Sequence, residues 1–375
     1  LLLAARAARG IGAFDKADRY LDQYQDLRGK DDETLVIERV LVHAERGELD
    51  SVSRFCQALV KQDHPATPLI LEALARGYLR MARPRDAEMA LKEWLQRQPD
   101  NPQALFLQGQ MHDLDMRLHD AIASYRRALT VDPEMDEVRL RLCAALVLRG
   151  LTDEALPHLE YLSRRFPDNL MVQVYLARAR DRMGHPDEAE KVLVAVLVRQ
   201  PNFAPALAER GKLALRAGRS VEAEKWLRQA VALEPGDYQA HYQLVLCLEK
   251  NGKPDEAQKV QARLEQIEGD IRHLQDISTV KMQHTPHDPA LHYEAGVIAL
   301  RAGAVEGGLR WLHSALKEDP NYKPAHQALM EYYQRIGDFG RAAQHRRKAG
   351  ISSNDKVTSG PRNSLLTAPR PSREC

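Results

Sequence analysis

From Leu170 to Phe203 the apolar positions fall into two stretches of one phase. The first carries Val174, Leu176, Ala177 and Ala179, and the second Ala189, Val192, Leu193, Val196 and Leu197, three and four residues apart. That spacing lays one apolar stripe along each of two helices. Gly184-His185-Pro186 parts them. Asp187 can cap the second helix, Glu188 adds negative charge to its first turn, and Pro201 stops it. The predicted element is helix, turn, helix, proline: one antiparallel pair.

The pair recurs. Pro99, Pro133, Pro167, Pro201 and Pro235 stand 34 residues apart, and Ala121, Ala155, Ala189 and Ala223 fall between them at the same interval. The units opening at Ala204 and Tyr238 are the clearest. They share a small or apolar residue (Gly211, Val245), then a Gly (Gly218, Gly252), then an Ala (Ala223, Ala257). The units are placed at 1–32, 33–67, 68–101, 102–135, 136–169, 170–203, 204–237, 238–264, 289–322 and 323–350, the first lacking its opening residues and the second carrying Val52 where Ala is expected. A period of this length marks a helical repeat protein, in which each pair buries its apolar face only by stacking on the next.

These residues resemble the tetratricopeptide repeat, whose period is also 34. The unit at Pro102 matches its pattern with Leu105, Gly109, Ala121, Tyr125, Ala128 and Pro133. That at Ala204 matches with Leu207, Gly211, Ala223, Leu227, Ala230 and Pro235. The unit at Pro289 offers His292, Gly296, Leu312, Ala315 and Pro320, with Gly308 in place of the Ala. The resemblance covers roughly residues 1–350. It implies an all-α fold, a right-handed superhelical solenoid of stacked antiparallel helix pairs. Small residues at positions 8, 20 and 27 let helices approach, and larger ones at 4, 7, 11 and 24 fill the space between.

The period breaks once, so the expected organisation is an array over 1–264, an extended helix and linker over 265–288, two further repeats over 289–350 and a disordered tail over 351–375. Val260, Leu264, Ile267, Ile271, Leu274 and Ile277 alternate four and three apart, which carries the second helix of the unit at Tyr238 on to about Val280. That seam either folds back on the array or serves self-association through 260–280. The tail is rich in Ser, Pro, Arg and Asn and lacks periodicity.

Composition narrows the function. The formal net charge is +1 over 375 residues, aromatics are 6%, and no run of about 18 apolar residues occurs, so no membrane span is expected within the chain. Cys56, Cys143, Cys247 and Cys375 form no C-x-x-C pair and read as three buried thiols and one in the tail. The opening LLLAARAARG has no initiator Met and reads as a helix under way. A fragment is therefore expected, cytoplasmic unless an upstream signal or anchor is missing.

No phosphate-binding loop, H-E-x-x-H, G-x-S-x-G or zinc-spaced cysteine pair is present, so no enzyme, cofactor or metal is expected. His284, His287 and His292 are interrupted by Pro286 and Pro289, while His241, His292 and His326 share a packing position in the repeat. Structural roles are expected for them.

The resemblance implies that first helices line an inner, concave surface through repeat positions 2, 5, 9, 12 and 13. Position 13 holds Arg80, Leu114, Leu148, Arg182, Arg216, Lys250, Arg301 and Arg335, and position 9 adds Arg76, Arg178 and Lys212. Together they predict a basic stripe able to bind carboxylates. The helix dipole alone would favour cations at position 13, though not at position 9. Position 5 offers Phe106, Leu140, Val174, Tyr242 and Tyr293, either as apolar spots in the groove or as packing against neighbouring helices. Position 9 has no Asn, so the clamp of the family's chaperone-binding members is absent.

The expected function is a non-catalytic scaffold holding a peptide or partner domain, with acidic character, against Arg76, Arg80, Phe106, Leu140, Val174, Arg178, Arg182, Lys212, Arg216, Tyr242, Lys250 and Tyr293. The alternative is a regulatory or substrate-recruiting region of a larger enzyme. Nucleic acid is not expected as a partner, because few aromatics interleave with the cations.

Overall fold

The computed structural model describes residues 1–28, 32–81, 83–115 and 117–351, which divide into two compact units on either side of His158. Among the described residues the ordered elements are helices, with no strand.

The first unit holds α1 (Leu2–Gly10), α2 (Phe14–Arg28), α3 (Glu33–Arg46), α4 (Leu49–Lys61), α5 (Thr67–Arg80), α6 (Pro84–Arg97), α7 (Pro102–Leu114), α8 (Leu118–Val131) and α9 (Asp136–Arg149). The unit boundary falls inside α10 (Thr152–Arg165). The second unit continues with α11 (Leu170–Arg182), α12 (Pro186–Arg199), α13 (Ala204–Arg216), α14 (Ser220–Leu233), α15 (Tyr238–Lys250) and α16 (Pro254–Asp276). A π-helical turn over Ile277–Lys281 follows, then the single turn α17 (Met282–His284), α18 (Pro289–Arg301), α19 (Val305–Glu318), α20 (Lys323–Ile336) and α21 (Phe339–Ala349). Within each unit the helices stack as antiparallel pairs.

Local chemistry sets the helix ends. Asn101, Asn169, Asp237 and Asp288 stand two residues past a proline and accept backbone N–H bonds from the opening turns of α7, α11, α15 and α18, at 2.9 to 3.2 Å. These caps satisfy donors that a helix start would leave orphaned. Between the two helices of a pair, Gly218 and Gly252 take φ of +77° and +69°, a left-handed geometry that costs glycine nothing.

Packing follows a small-against-large rule inside each pair. A Cβ on Gly109 would sit 2.3 Å from the Tyr125 ring, one on Gly211 2.6 Å from Leu227, and one on Gly296 2.9 Å from Leu312. The positions that read as small and large in the sequence are therefore in contact. Where Gly308 replaces the usual Ala, Leu300 takes up the space, 2.5 Å from an added Cβ. Ile70, Leu91, Trp94, Leu107 and Met111 share one core in the first unit, and Leu193, Val196, Ala206 and Leu207 one in the second.

The stretch that breaks the period is built into the second unit. Leu264, Ile267 and Ile277 are buried, and Ile277 and Met282 pack with Leu291, Ala295 and Ile298 of α18. Asp270 accepts from Arg301 at 2.9 Å, and Arg263 donates to the carbonyls of Pro235 and Arg301, both at 3.1 Å. The end of the seam, Leu274 and Ile277, is thus covered by α18, while Val260 packs with Leu215, Leu244 and Leu248 behind it. Ile271 and Val280 remain exposed on it, a small remnant for any self-association through 260–280. The tail expected over 351–375 lies outside the described residues, apart from Ile351. Among the described residues no helix is long and apolar enough to cross a membrane.

His241, His292 and His326 are buried at their shared repeat position. His326 Nε2 donates to the Pro320 carbonyl at 3.0 Å, and its Nδ1 stands 2.9 Å from His345 Nδ1. Burial first, then His326, His313 and Lys348, holds His345 down at about 4 against an ordinary 6.5. His326 and Tyr333 reach it from α20, His313 from α19 and Lys348 from α21 itself. The folded chain therefore refuses a proton that the unfolded chain accepts below 6.5. The stability held above 6.5 falls as the pH drops towards about 4. Amide exchange in 289–350 is expected to quicken across that window in the intact chain, and His345→Gln is expected to flatten the local slope. An unchanged slope in the variant would assign the loss to other groups.

Candidate functional site

The last turns of the first helices carry Arg80, Arg182, Arg216 and Lys250, and Arg76, Arg178 and Lys212 stand about one turn earlier. In the first unit, Arg76 donates to Glu72 at 2.9 Å on α5. Arg80 lies over the Phe14 ring at 5.1 Å and donates to the Glu45 carbonyl at 2.9 Å. Arg80 thus ties α5 to α3 and α2, while Arg76 pairs within its own helix.

The second unit brings more of the stripe together. Arg178 donates to Glu209 at 2.7 Å and covers the Tyr175 ring, and Lys212 reaches the same carboxylate at 3.4 Å. Arg216 donates to Asp181, whose carboxylate is almost wholly buried, and keeps half its own side chain exposed. Arg182 and Lys250 are exposed with no ion-pair or hydrogen-bond partner among the described residues. Arg182, Arg216 and Lys250 close α11, α13 and α15 respectively.

The stripe is therefore partly neutralised from within. Asp181 and Glu209 were missed because each pairs with a cation of the neighbouring repeat, 35 and 31 residues away in sequence. The available signal was Asp181, an acid at inward position 12 beside Arg182; Glu209, at position 6, lies outside the inward set. A buried carboxylate needs such a partner, since burial without one is expensive. Even so, Arg178, Arg182, Lys212, Arg216 and Lys250 outnumber Asp181, Glu209 and the exposed Glu249 on these faces.

The apolar candidates divide. Val174 is fully buried in a core with Leu193 and Leu207, and Phe106 is buried with its ring 6.1 Å from Tyr125. Neither is a groove contact. Their side chains enter the space between stacked helices, so the packing alternative holds for both. Leu140 and Tyr293 are half-buried, and Tyr293 meets Tyr322 edge-on at 5.9 Å. Burial pushes the Tyr293 hydroxyl above its ordinary pKa. Tyr242 alone of this set is exposed, at 42%.

A recess of about 350 Å³ joins α13 to α15. Leu215 and Leu246 form its apolar part, Arg216 and Lys250 its cationic edge, and Gln243 and Glu249 complete it. It can take one or two side chains, apolar at the tip and carboxylate at the rim. A larger recess of about 550 Å³ lies over Leu91 and Met111 in the first unit, with Lys92 and Arg127 on its lining, and none of the candidate residues reaches it. Among the described residues no group of three or more metal-ligating side chains occurs.

A stack of helix pairs with a part-neutralised cationic line defines a helical repeat protein. Family models described as tetratricopeptide repeat match residues 72–136, 174–237 and 214–276, and the chain is a tetratricopeptide repeat protein. Proteins of this family bind protein partners, and the fold is that of a protein-interaction scaffold. Surface lipoprotein assembly modifier 1 of Neisseria meningitidis serogroup B is 36% identical over 84 residues, which are 22% of this chain and 17% of that protein. The chain thus matches less than a fifth of that relative's length. Among solved structures, PilW, a type IV pilus biogenesis factor, aligns at a TM-score of 0.45 and 20% identity over 53% of this chain and 92% of its own. A thermophilic tetratricopeptide repeat protein of Thermus thermophilus aligns at 0.42 and 24% identity, over 48% of this chain and 98% of its own.

Proposed function

We propose that the chain is a non-catalytic scaffold whose second unit holds an acidic peptide or an acidic face of a partner domain against α11, α13 and α15. One observation carries the reading. Arg182 and Lys250 are exposed cations without partners among the described residues, on either side of the half-exposed Arg216, in a chain of net charge +1. The helix dipole favours cations at these helix ends, and what adds to it here is the recess beside them between α13 and α15. Arg216 and Lys250 edge that recess, and Leu215 and Leu246 give it apolar surface. Tyr242 adds an exposed aromatic on the same helix as Lys250.

The test is affinity capture with the intact chain, followed by binding of the captured partner to the double variant Arg182→Glu/Lys250→Glu. Each lost contact is worth up to about 1 kcal/mol and reversal adds repulsion, so a drop of about tenfold or more is expected. Unchanged affinity removes the cationic line from the function. Glu209→Gln releases Arg178 and Lys212 and is expected to tighten the same complex. A second reading, a recruiting region within a longer protein, is favoured by the Neisseria relative, in which the matched stretch is a small part of the whole.

A further inference from the structure

Resting on the acidic-partner reading above, we infer that the second unit recognises carboxylates at every third residue of a segment in polyproline II conformation. Arg182, Arg216 and Lys250 stand 34 residues apart and occupy the same place on three successive first helices. Those helices pack directly, α11 on α13 and α13 on α15. Packed helices lie about 8–10 Å axis to axis, so the three cations are presented about one such step apart. Arg216 and Lys250 edge one recess, as that spacing requires.

The step selects the ligand's conformation. A polyproline II chain rises about 3.1 Å per residue with three residues per turn, so residues i, i+3 and i+6 share one edge about 9.3 Å apart. A flat β-strand has a similar rise but alternates its faces, which turns i and i+3 to opposite sides. An α-helix returns to the same face at i+7 after about 10.5 Å, but its body is about 10–12 Å across. The recess between Arg216 and Lys250, about 350 Å³ with Leu215 and Leu246 in its lining, has room for a proline ring or one apolar side chain between two carboxylates. Arg216 already holds Asp181 through one amino group, and a guanidinium has further donors for an incoming carboxylate. Glu249 lies at the same recess and disfavours a fourth acidic residue directly over it. A prefolded extended chain also loses little entropy on binding.

The experiment uses the intact chain and dye-labelled peptides read by fluorescence anisotropy. The phased peptide is Glu-Pro-Pro-Glu-Pro-Pro-Glu. Its rearranged isomer has the three Glu adjacent, its neutral form has Gln for Glu, and an Ala-based helical peptide carries Glu at every seventh residue. The phased peptide is expected to bind about tenfold more tightly than the isomer, because the isomer misplaces two of the three exposed pairs. Lys250→Gln is expected to shrink that advantage several-fold. Equal binding of phased and rearranged peptides, both above the neutral form, overturns the spacing and leaves the acidic reading standing. Tighter binding of the helical peptide overturns the extended conformation. Failure of every acidic peptide to exceed the neutral form overturns the spacing and the acidic reading together.

Discussion

Gly77→Ala is expected to destabilise the first unit by about 2 kcal/mol, although the same change in an ordinary helix interior favours Ala by about 1 kcal/mol. Gly77 lies within α5. A Cβ there would stand 2.0 Å from the Ala44 carbonyl oxygen and 3.1 Å from Leu49 Cδ2. The oxygen belongs to α3, so relief needs a shift of one helix against its neighbour rather than a rotamer change. Overpacking of that kind costs about 1–3 kcal/mol or more, which outweighs the gain in propensity. Gly269→Ala in α16 makes the opposite test, because an added Cβ there meets nothing within 4 Å. It is expected to stabilise by about 1 kcal/mol. Urea midpoints of the intact variants, with amide exchange to assign the unit, check both. A Gly77→Ala chain as stable as its parent would show that α3 and α5 do not meet as closely as described.

Tyr125→Ala carries the largest expected loss, about 3–5 kcal/mol by analogy with other large aromatic truncations. Its ring is fully buried and occupies the space that Gly109 leaves open. Its hydroxyl donates to Asp113, a carboxyl that burial has already pushed above the usual carboxylate range. Truncation empties the cavity and leaves that carboxyl without its donor. Tyr125→Phe removes the donor alone and is expected to cost about 1–2 kcal/mol. Tyr125→Leu should fall between the two, because Leu227 fills the equivalent space against Gly211. Equal losses for the Ala and Phe variants would mean that the hydroxyl, rather than the ring, carries the energy.

The helix pairs were legible because their determinants are local. Apolar residues three and four apart put a stripe on each helix, proline ends it, and glycine makes the turn. The small-against-large contacts were legible too, since Gly109 and Tyr125 or Gly211 and Leu227 lie in one repeat, 16 residues apart. The caps were only half visible. Asp187, expected to cap, lies inside α12, which has no side-chain cap, while the capping Asn101, Asn169 and Asp237 each stand two residues past a proline.

The candidate site was legible as a list of cations and not as a charge distribution. Arg178, Arg182 and Arg216 read alike in sequence, yet Arg178 is spent on Glu209, Arg216 is shared with Asp181, and Arg182 stands exposed without a partner among the described residues. Each of those acids belongs to a different repeat from its cation, so a register of one repeat position cannot show the pairing. The same holds for the apolar candidates. Val174 and Tyr242 occupy equivalent repeat positions, but one is sealed in the core and the other faces solvent.

By itself, the sequence determined that this chain folds as stacked helix pairs of the tetratricopeptide type, because periodicity, turns and proline stops act over a few residues. Tertiary structure alone decided which cations remain available and which apolar side chains are exposed. Burial and ion pairing depend on the neighbouring repeat, and that neighbour is set by stacking rather than by adjacency in the chain.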